Sequence, residues 1–293
     1  MNLLTFDVEE WYLESSRGGL KENYSKYNSV LNTILDRLDE SKLKATFFCL
    51  GEVANHFPEV VRKIDMRGHE VGCHSNVHMW LNKMTKDELF DDTHRAVDSL
   101  EQCIGKKITS YRAPAFSIGK SNPWAFEVLS FFGIENDASV FPAERDFGGF
   151  PGFKEKCPSV IKYNGISIRE FPVSTLSRFG RDIVYSGGGY FRFFPLSFIK
   201  NNLVRESYSM VYLHIADIIE DKHGFQSREE YESYFKEKGT ITARLKRYIK
   251  GNLGKKGALS KLESLLSSVE FVSVNEANKR IDWACAPVVS INE

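Results

Sequence analysis

Short apolar runs alternate with amphipathic segments along most of the 293 residues, and this rhythm constrains the fold more than any other feature. Leu3–Val8 reads as a buried strand. From Asn28 to Glu40, the residues Val30, Leu31, Ile34, Leu35 and Leu38 share one helical face. Ala45–Leu50 is a second strand. Residues 51–68 are helical, with a break near Pro58 and a stop at Gly68, and His69–His74 is a third strand. Thr85 and Glu88 form a capping box that opens a helix to about Ile104. ITSYRAP, IENDAS, ISIREFPV and MVYLHI supply later strands, and a helix near Ser260–Ser268 precedes a strand at Phe271–Val274. Such alternation predicts a mostly parallel sheet, open or closed into a barrel. The stretch Phe141–Ser186, rich in Gly, Pro and aromatics, breaks the rhythm and reads as a loop-rich insertion over one face. No linker or repeat divides the chain. A single domain over residues 1–293 is expected, with C-terminal helices and a last strand at about 239–281.

Composition excludes several classes. Apolar residues at 42% and charged residues at 27% suit a globular core rather than disorder or a coiled coil. The 39 basic and 39 acidic residues cancel, so charge gives no support to a nucleic-acid partner. No window approaches the ~18 apolar residues of a membrane span. The start, MNLLTFDVEEWY, lacks the basic and apolar segments of a signal peptide. Five scattered cysteines without a CxxC pair fit reduced thiols, and a cytoplasmic location is the expectation.

In parallel α/β folds the site gathers at the carboxyl ends of the strands. Four strand ends here carry reactive residues: Asp7-Val8-Glu9-Glu10, His74-Ser75-Asn76-Val77-His78, Arg112-Ala113-Pro114 and His214-Ile215-Ala216-Asp217. His74 and His78 are four apart, and on one helical turn both imidazoles would face one way, as two metal ligands require. Alone, the pair reads as readily as surface or capping histidines. Asp7 and Glu9 have the same strand parity. One could ligate a metal while the other acts as general base, whereas a solvated acidic turn with Glu10 and Glu14 is the blander alternative. Arg112 could hold a catalytic carboxylate, or make a surface ion pair. His214 could protonate a leaving group, or be a satisfied core histidine.

Together these residues resemble the polysaccharide deacetylase family (carbohydrate esterase family 4, the NodB-homology domain). The matching stretches are T-F-D-V-E at Thr5–Glu9, H-S-N-V-H at His74–His78, R-A-P-A-F at Arg112–Phe116, D-A-S-V at Asp137–Val140 and L-H-I-A-D at Leu213–Asp217. Five motifs stand in family order, with G-H-E-V-G at Gly68–Gly72 leading the second. G-G-G-Y-F-R at Gly187–Arg192 looks like the branch of exopolysaccharide and lipopolysaccharide loci.

The resemblance implies a distorted or incomplete (β/α) barrel of about seven parallel strands. It implies Asp7 as catalytic base, His74 and His78 as metal ligands, Arg112 as the arginine that orients the base, and His214 as general acid. The family's adjacent Asp-Asp is absent. Val8 stands next to Asp7, and Glu9 takes the carboxylate-ligand position by analogy with branches of Asp-x-Asp spacing. Ala115 replaces the usual aromatic, but its backbone N–H still supplies the oxyanion donor. Asp137 takes a supporting role, and Asp217 and Glu170 are the two candidates for orienting His214. The activity implied is metal-dependent hydrolysis of an N-acyl, chiefly N-acetyl, group on an amino sugar of a bacterial cell-surface polysaccharide or its precursor. The ion would be Zn2+, with Fe2+, Co2+ or Mn2+ as alternatives. Rival functions are a non-haem Fe(II) oxygenase on the same two-His, one-carboxylate set, a deformylase or other C–N hydrolase, and a non-catalytic sugar-binding relic. A cytoplasmic enzyme would meet nucleotide-linked or lipid-linked saccharides. Gly239–Leu262, with seven Lys/Arg and no acid, could approach a phosphate-bearing substrate or the inner membrane face, or be a solvated helical face.

Overall fold

The computed structural model describes residues 1–16, 22–143, 148–178, 181–221, 224–235 and 237–291. The side chains at 14, 22, 178, 181, 234 and 235 lie outside that description, and Glu14 of the acidic N-terminal cluster is among them. The strands are β1 (Asn2–Val8), β2 (Thr46–Cys49), β3 (Glu70–Cys73), β4 (Ser110–Tyr111), β5 (Asn136–Asp137), β6 (Ser159–Tyr163), β7 (Ile166–Glu170), β8 (Thr175–Arg178), β9 (Arg181–Val184), β10 (Ser209–His214) and β11 (Val288–Ser290).

One sheet runs in the order β10-β1-β2-β3-β4-β5-β7-β6-β11. Every pair from β10 to β7 is parallel, which makes seven consecutive parallel strands among the described residues. Among the described residues the order does not return to β10. Parallel strands covered on both faces are largely apolar, and β1 is buried from Leu3 to Val8, with Thr5 and Asp7 as its polar exceptions. Phe6 and Phe47 stack with centroids 4.9 Å apart across β1 and β2.

The connecting helices follow their local signals. Pro58 occupies the first turn of Pro58–Met66 and separates it from Gly51–His56. Thr85 and Glu88 close the capping box of Lys86–Ile104, and Gly105 ends that helix at φ 68°.

Three expectations need refinement. The stretch Phe141–Ser186 is not loops alone: it carries β6, β7, β8 and β9, although residues 144–147 and 179–180 lie outside the described set. Asn164 (φ 44°) and Gly165 (φ 81°) turn β6 tightly back onto β7. Both positive values suit an Asn-Gly hairpin, so β7 joins the parallel run. Phe271–Val274 is not a strand either. Val272 makes a single bridge to Leu3, and Ser273 then caps the helix Val274–Arg280 by accepting from Glu276 N–H. The last strand is therefore β11, beyond the expected limit of 281, paired with β6.

Candidate metal and active site

The register of the sheet delivers the candidate residues to one end. Asp7 is the direct partner of His214 across β1 and β10. Asp7 is 2% exposed and Glu9 9%, so these carboxylates do not form a solvated turn. Glu10 is buried too, and its Oε1 accepts from Ala216 N–H at 2.6 Å, tying the end of β1 to the end of β10. Burial, with the charge of Glu9 behind it, pushes the Glu10 carboxyl up to about 7.

His74 and His78 do converge, but not on a helix. Residues 74–80 form a loop in which Ser75 (φ 69°) and His78 (φ 61°) both take left-handed backbone. Ser75 Oγ accepts from His78 N–H at 3.0 Å and holds the turn. The rings end up 5.3 Å apart. His74 Nδ1 donates to the Arg112 carbonyl at 2.7 Å, which leaves the Nε2 lone pair facing inward. His74 Nε2 and His78 Nε2 stand 3.3 and 2.8 Å from Glu9 Oε2. That oxygen is buried yet has no hydrogen bond of good geometry. Three lone-pair donors within 4.8 Å of one another, one of them otherwise unsatisfied, are a set that fits a divalent cation. Burial works against ionising Glu9, but His78, His214 and His74 hold its carboxyl well below the usual range.

Arg112 follows β4 and is fully buried. Its Nη1 donates to Asp7 Oδ1 at 2.8 Å and to Thr5 Oγ1 at 2.9 Å, and its Nε donates to the Ala138 carbonyl at 3.2 Å. The guanidinium lies 4.3 Å over the Phe48 ring. It is thus no surface pair; it fixes Asp7 from behind. The next turn, Pro114–Phe116, carries Ala115 (φ 54°) and Phe116 (φ 53°). Two successive non-glycine residues in left-handed backbone cost on the order of 1 kcal/mol each, strain of the kind that clusters at functional sites.

His214 takes its partner locally. Its Nδ1 lies 3.0 Å from Asp217 Oδ2, and the same oxygen accepts His214 N–H at 2.9 Å. Asp217 in turn meets Arg192 Nε at 3.2 Å through Oδ1. Burial opposes protonation of His214, but Glu9, Asp217 and Asp7 raise it well above the ordinary histidine range. Its side chain keeps 35% exposure, so solvent damps that shift. His214 Nε2 then faces Asp7 Oδ2 at 3.8 Å and Glu9 Oε1 at 3.9 Å.

Glu170, the other candidate partner, is elsewhere. It lies with Asp137 behind Arg112, and its Oε1 accepts from Val140 N–H at 3.1 Å. Asp137 accepts from the Ser139 hydroxyl at 2.5 Å, and Ser139 Oγ accepts from Ala113 N–H at 2.7 Å. Asp137 thus supports the Arg112 loop from a distance.

Arg192 and Glu10 had no role in the sequence reading. The signal for Arg192 was the run Gly187–Arg192. A Cβ at Gly187 would fall 1.8 Å from the Tyr212 ring, so only glycine lets the helix Gly188–Phe193 lie this close to β10 and bring Arg192 to Asp217.

The family model for polysaccharide deacetylases matches residues 3–135, and that for a domain of unknown function, DUF3473, matches residues 138–279. The peptidoglycan-N-acetylglucosamine deacetylase of Bacillus cereus is 36% identical over 95 residues, 32% of this chain and 34% of that protein. The peptidoglycan-N-acetylmuramic acid deacetylase PdaC of Bacillus subtilis is 35% identical over 86 residues, 29% of this chain and 18% of that protein. The match thus spans 34% and 18% of these two relatives. A crystal structure of a Mycobacterium smegmatis protein described as a polysaccharide deacetylase superposes with a TM-score of 0.61 at 17% identity, covering 100% of this chain and 93% of that one. At such identity the likeness speaks for the fold alone. The chain thus carries a polysaccharide deacetylase domain over residues 3–135, and the strands β6, β7 and β10 of the DUF3473 region continue the same sheet.

Proposed function

We propose that the protein is a metal-dependent N-deacylase that removes an acetyl group from an amino sugar of a cell-surface polysaccharide or its precursor. The observation that carries this is convergence. His214 Nε2 lies within 4 Å of both Asp7 and Glu9, and Glu9 faces His74 and His78, so base, acid and ligand set surround one small volume. The names of the relatives, deacetylases of amino-sugar polymers, point the same way.

Glu9, His74 and His78 would hold the ion, with zinc suiting an N,N,O set and Fe2+, Co2+ or Mn2+ as alternatives. When bound, such an ion supplies Lewis-acid polarisation of the acyl carbonyl and lowers the pKa of water. The chain's own groups do the rest. Arg112 engages Asp7 Oδ1, which leaves Oδ2 to take the proton from the attacking water. The Ala115 N–H donates to the developing oxyanion. Protonated His214 gives its Nε2 proton to the departing amine, while Asp217 holds Nδ1–H and Arg192 holds Asp217. Water adds to the carbonyl carbon, the C–N bond breaks, and a free amino sugar and a carboxylic acid leave.

A formyl group is the smaller alternative acyl. A nucleotide- or lipid-linked saccharide and a cytoplasmic location belong to the same proposal. The test is acid release from a panel of N-acetylated and N-formylated glycans by the metal-loaded protein, with oxygen uptake recorded alongside. Oxygen uptake without acid release would favour the Fe(II) oxygenase, and saccharide binding without product would favour a non-catalytic module.

A further inference from the structure

The helix Ile241–Asn252 buries none of its residues fully, whereas the neighbouring Ala258–Leu266 buries four. Its inner face is nevertheless engaged. Ala243 packs against Trp80 and Tyr231, Arg244 donates to the Gln226 carbonyl at 3.1 Å, and Arg192 donates to the carbonyls of Lys250 and Gly251 at 3.2 and 2.7 Å. The outer face carries Ile241, Leu245 and Ile249, spaced four apart and 68%, 48% and 51% exposed. That spacing makes one continuous apolar stripe. Leu253, 45% exposed, prolongs it, and the exposed Lys246 and Lys250 run along its edge. From Gly239 to Leu262 there are seven Lys/Arg and no acid, although Lys255 and Lys261 turn inward to donate to backbone carbonyls.

We infer that this helix docks the protein on an anionic lipid bilayer. Ile241, Leu245 and Ile249 enter the boundary between headgroups and acyl chains, while Lys246 and Lys250 reach the lipid phosphates with their alkyl stems along the apolar surface. Charge complementarity selects this occupant. A second copy laid stripe against stripe would bring two rows of lysines together. Among the described residues no helix is long and apolar enough to cross a membrane, so this one lies on the surface.

The position of the helix gives the docking a purpose. Trp80 stands two residues after the ligand candidate His78, and Ala115 packs in the same cluster as Ala243. The far end of the helix binds Arg192, which holds Asp217 beside His214. A bilayer under the stripe therefore lies about one helix diameter, roughly 10 Å, from the rim of the site, within reach of a lipid-linked saccharide. This last step rests on the proposed deacylation; the docking itself does not.

The test is co-sedimentation of the full chain with vesicles of phosphatidylcholine alone and of phosphatidylcholine mixed with phosphatidylglycerol. Binding is expected to the anionic vesicles and to weaken with salt. Leu245→Asp and Ile249→Asp should each lower the bound fraction about tenfold. Lys246→Gln should lower it less and flatten the salt dependence. Ile249→Ser, at an exposed position, gives a milder variant whose fold is checked by circular dichroism. Absence of binding to anionic vesicles, equal binding to phosphatidylcholine alone, or full binding by both Asp variants would overturn the inference. So would light scattering showing a dimer that Leu245→Asp dissociates, since the stripe would then be a self-interface. Because sedimentation needs no turnover, protein that binds vesicles but releases no acid would keep the docking and remove the deacylase.

Discussion

Two pairs of buried carboxylates sit at strand ends on either side of Arg112, and they behave in opposite ways. Asp7 and Glu9 are met by cationic or cation-ready partners: Arg112, His74, His78 and His214. Glu9 is accordingly pulled well below the ordinary carboxylate range. Asp137 and Glu170 are just as buried, but much of what they meet is each other. Burial and the Asp137 charge push Glu170 well above the ordinary range, and its Oε2 finds no donor. One proton between the two carboxyls makes their contact favourable. The same residue type, at different strand ends of one sheet, is held ionised at Glu9 and protonated at Glu170 according to its neighbours.

The largest expected effects test the ionised side. His74→Ala and His78→Ala should each abolish bound metal and activity while the fold persists, because loop ligands carry little of the core. Elemental analysis of the purified variants decides this, and stoichiometric metal in either would sink the ligand assignment.

Asp7→Asn should keep the metal yet lose roughly 10²–10⁴ in rate, the usual worth of a general base. If it loses metal and keeps the rate, Asp7 and Glu9 have exchanged functions. The comparison is sharpest when one change is made in both pairs. Glu9→Gln should weaken metal binding by more than the roughly 10–100-fold typical of outer-shell changes, whereas Glu170→Gln should leave metal untouched.

Asp217→Asn tests the acid. Asp217 helps raise His214, so removing its charge lets His214 lose its proton at lower pH. The alkaline limb of kcat/KM should shift to lower pH, with metal content unchanged. An unmoved limb in the pH profile would reduce Asp217 to a structural tether.

The smallest effect belongs to the brace. An amide mimics a protonated carboxyl, so Glu170→Gln should cost no more than about 1 kcal/mol in urea denaturation near neutral pH. The folded-state pKa of Glu170 is raised, so its stabilising contribution is complete below the unfolded value and is lost as pH rises through the folded one. The wild type should lose stability over that window and Glu170→Gln should not. A large loss in the variant at every pH would mean that Glu170 is ionised after all.

Much of this arrangement was legible in the chain. Asp7, Glu9, His74, His78, Arg112 and His214 announce themselves because each stands at a strand end or in the loop just beyond one, and parallel strands deliver their ends to one side. Asp217 was one of two readings for the partner of His214; in the structure it meets His214 from three residues away, and Glu170 lies elsewhere. The Asn164-Gly165 pair is a local turn signal within the Gly-, Pro- and aromatic-rich stretch that the reading of that stretch as loops did not use. Spacing misled at His74 and His78, because four residues can bring two rings together through a helix or through a loop with two left-handed residues.

By itself, then, the sequence determined the alternation, the strands, the capped helices and the reactive residue types, since all of these depend on periodicity and local hydrogen bonding. Only the tertiary structure decided which groups share a charge. Arg192 reaches Asp217 from 25 residues upstream, Glu10 reaches Ala216 from across the chain, and Asp137 finds Glu170 through the pairing of β5 with β7. Protonation follows burial and neighbours a few ångströms away in space, and linear order does not encode either.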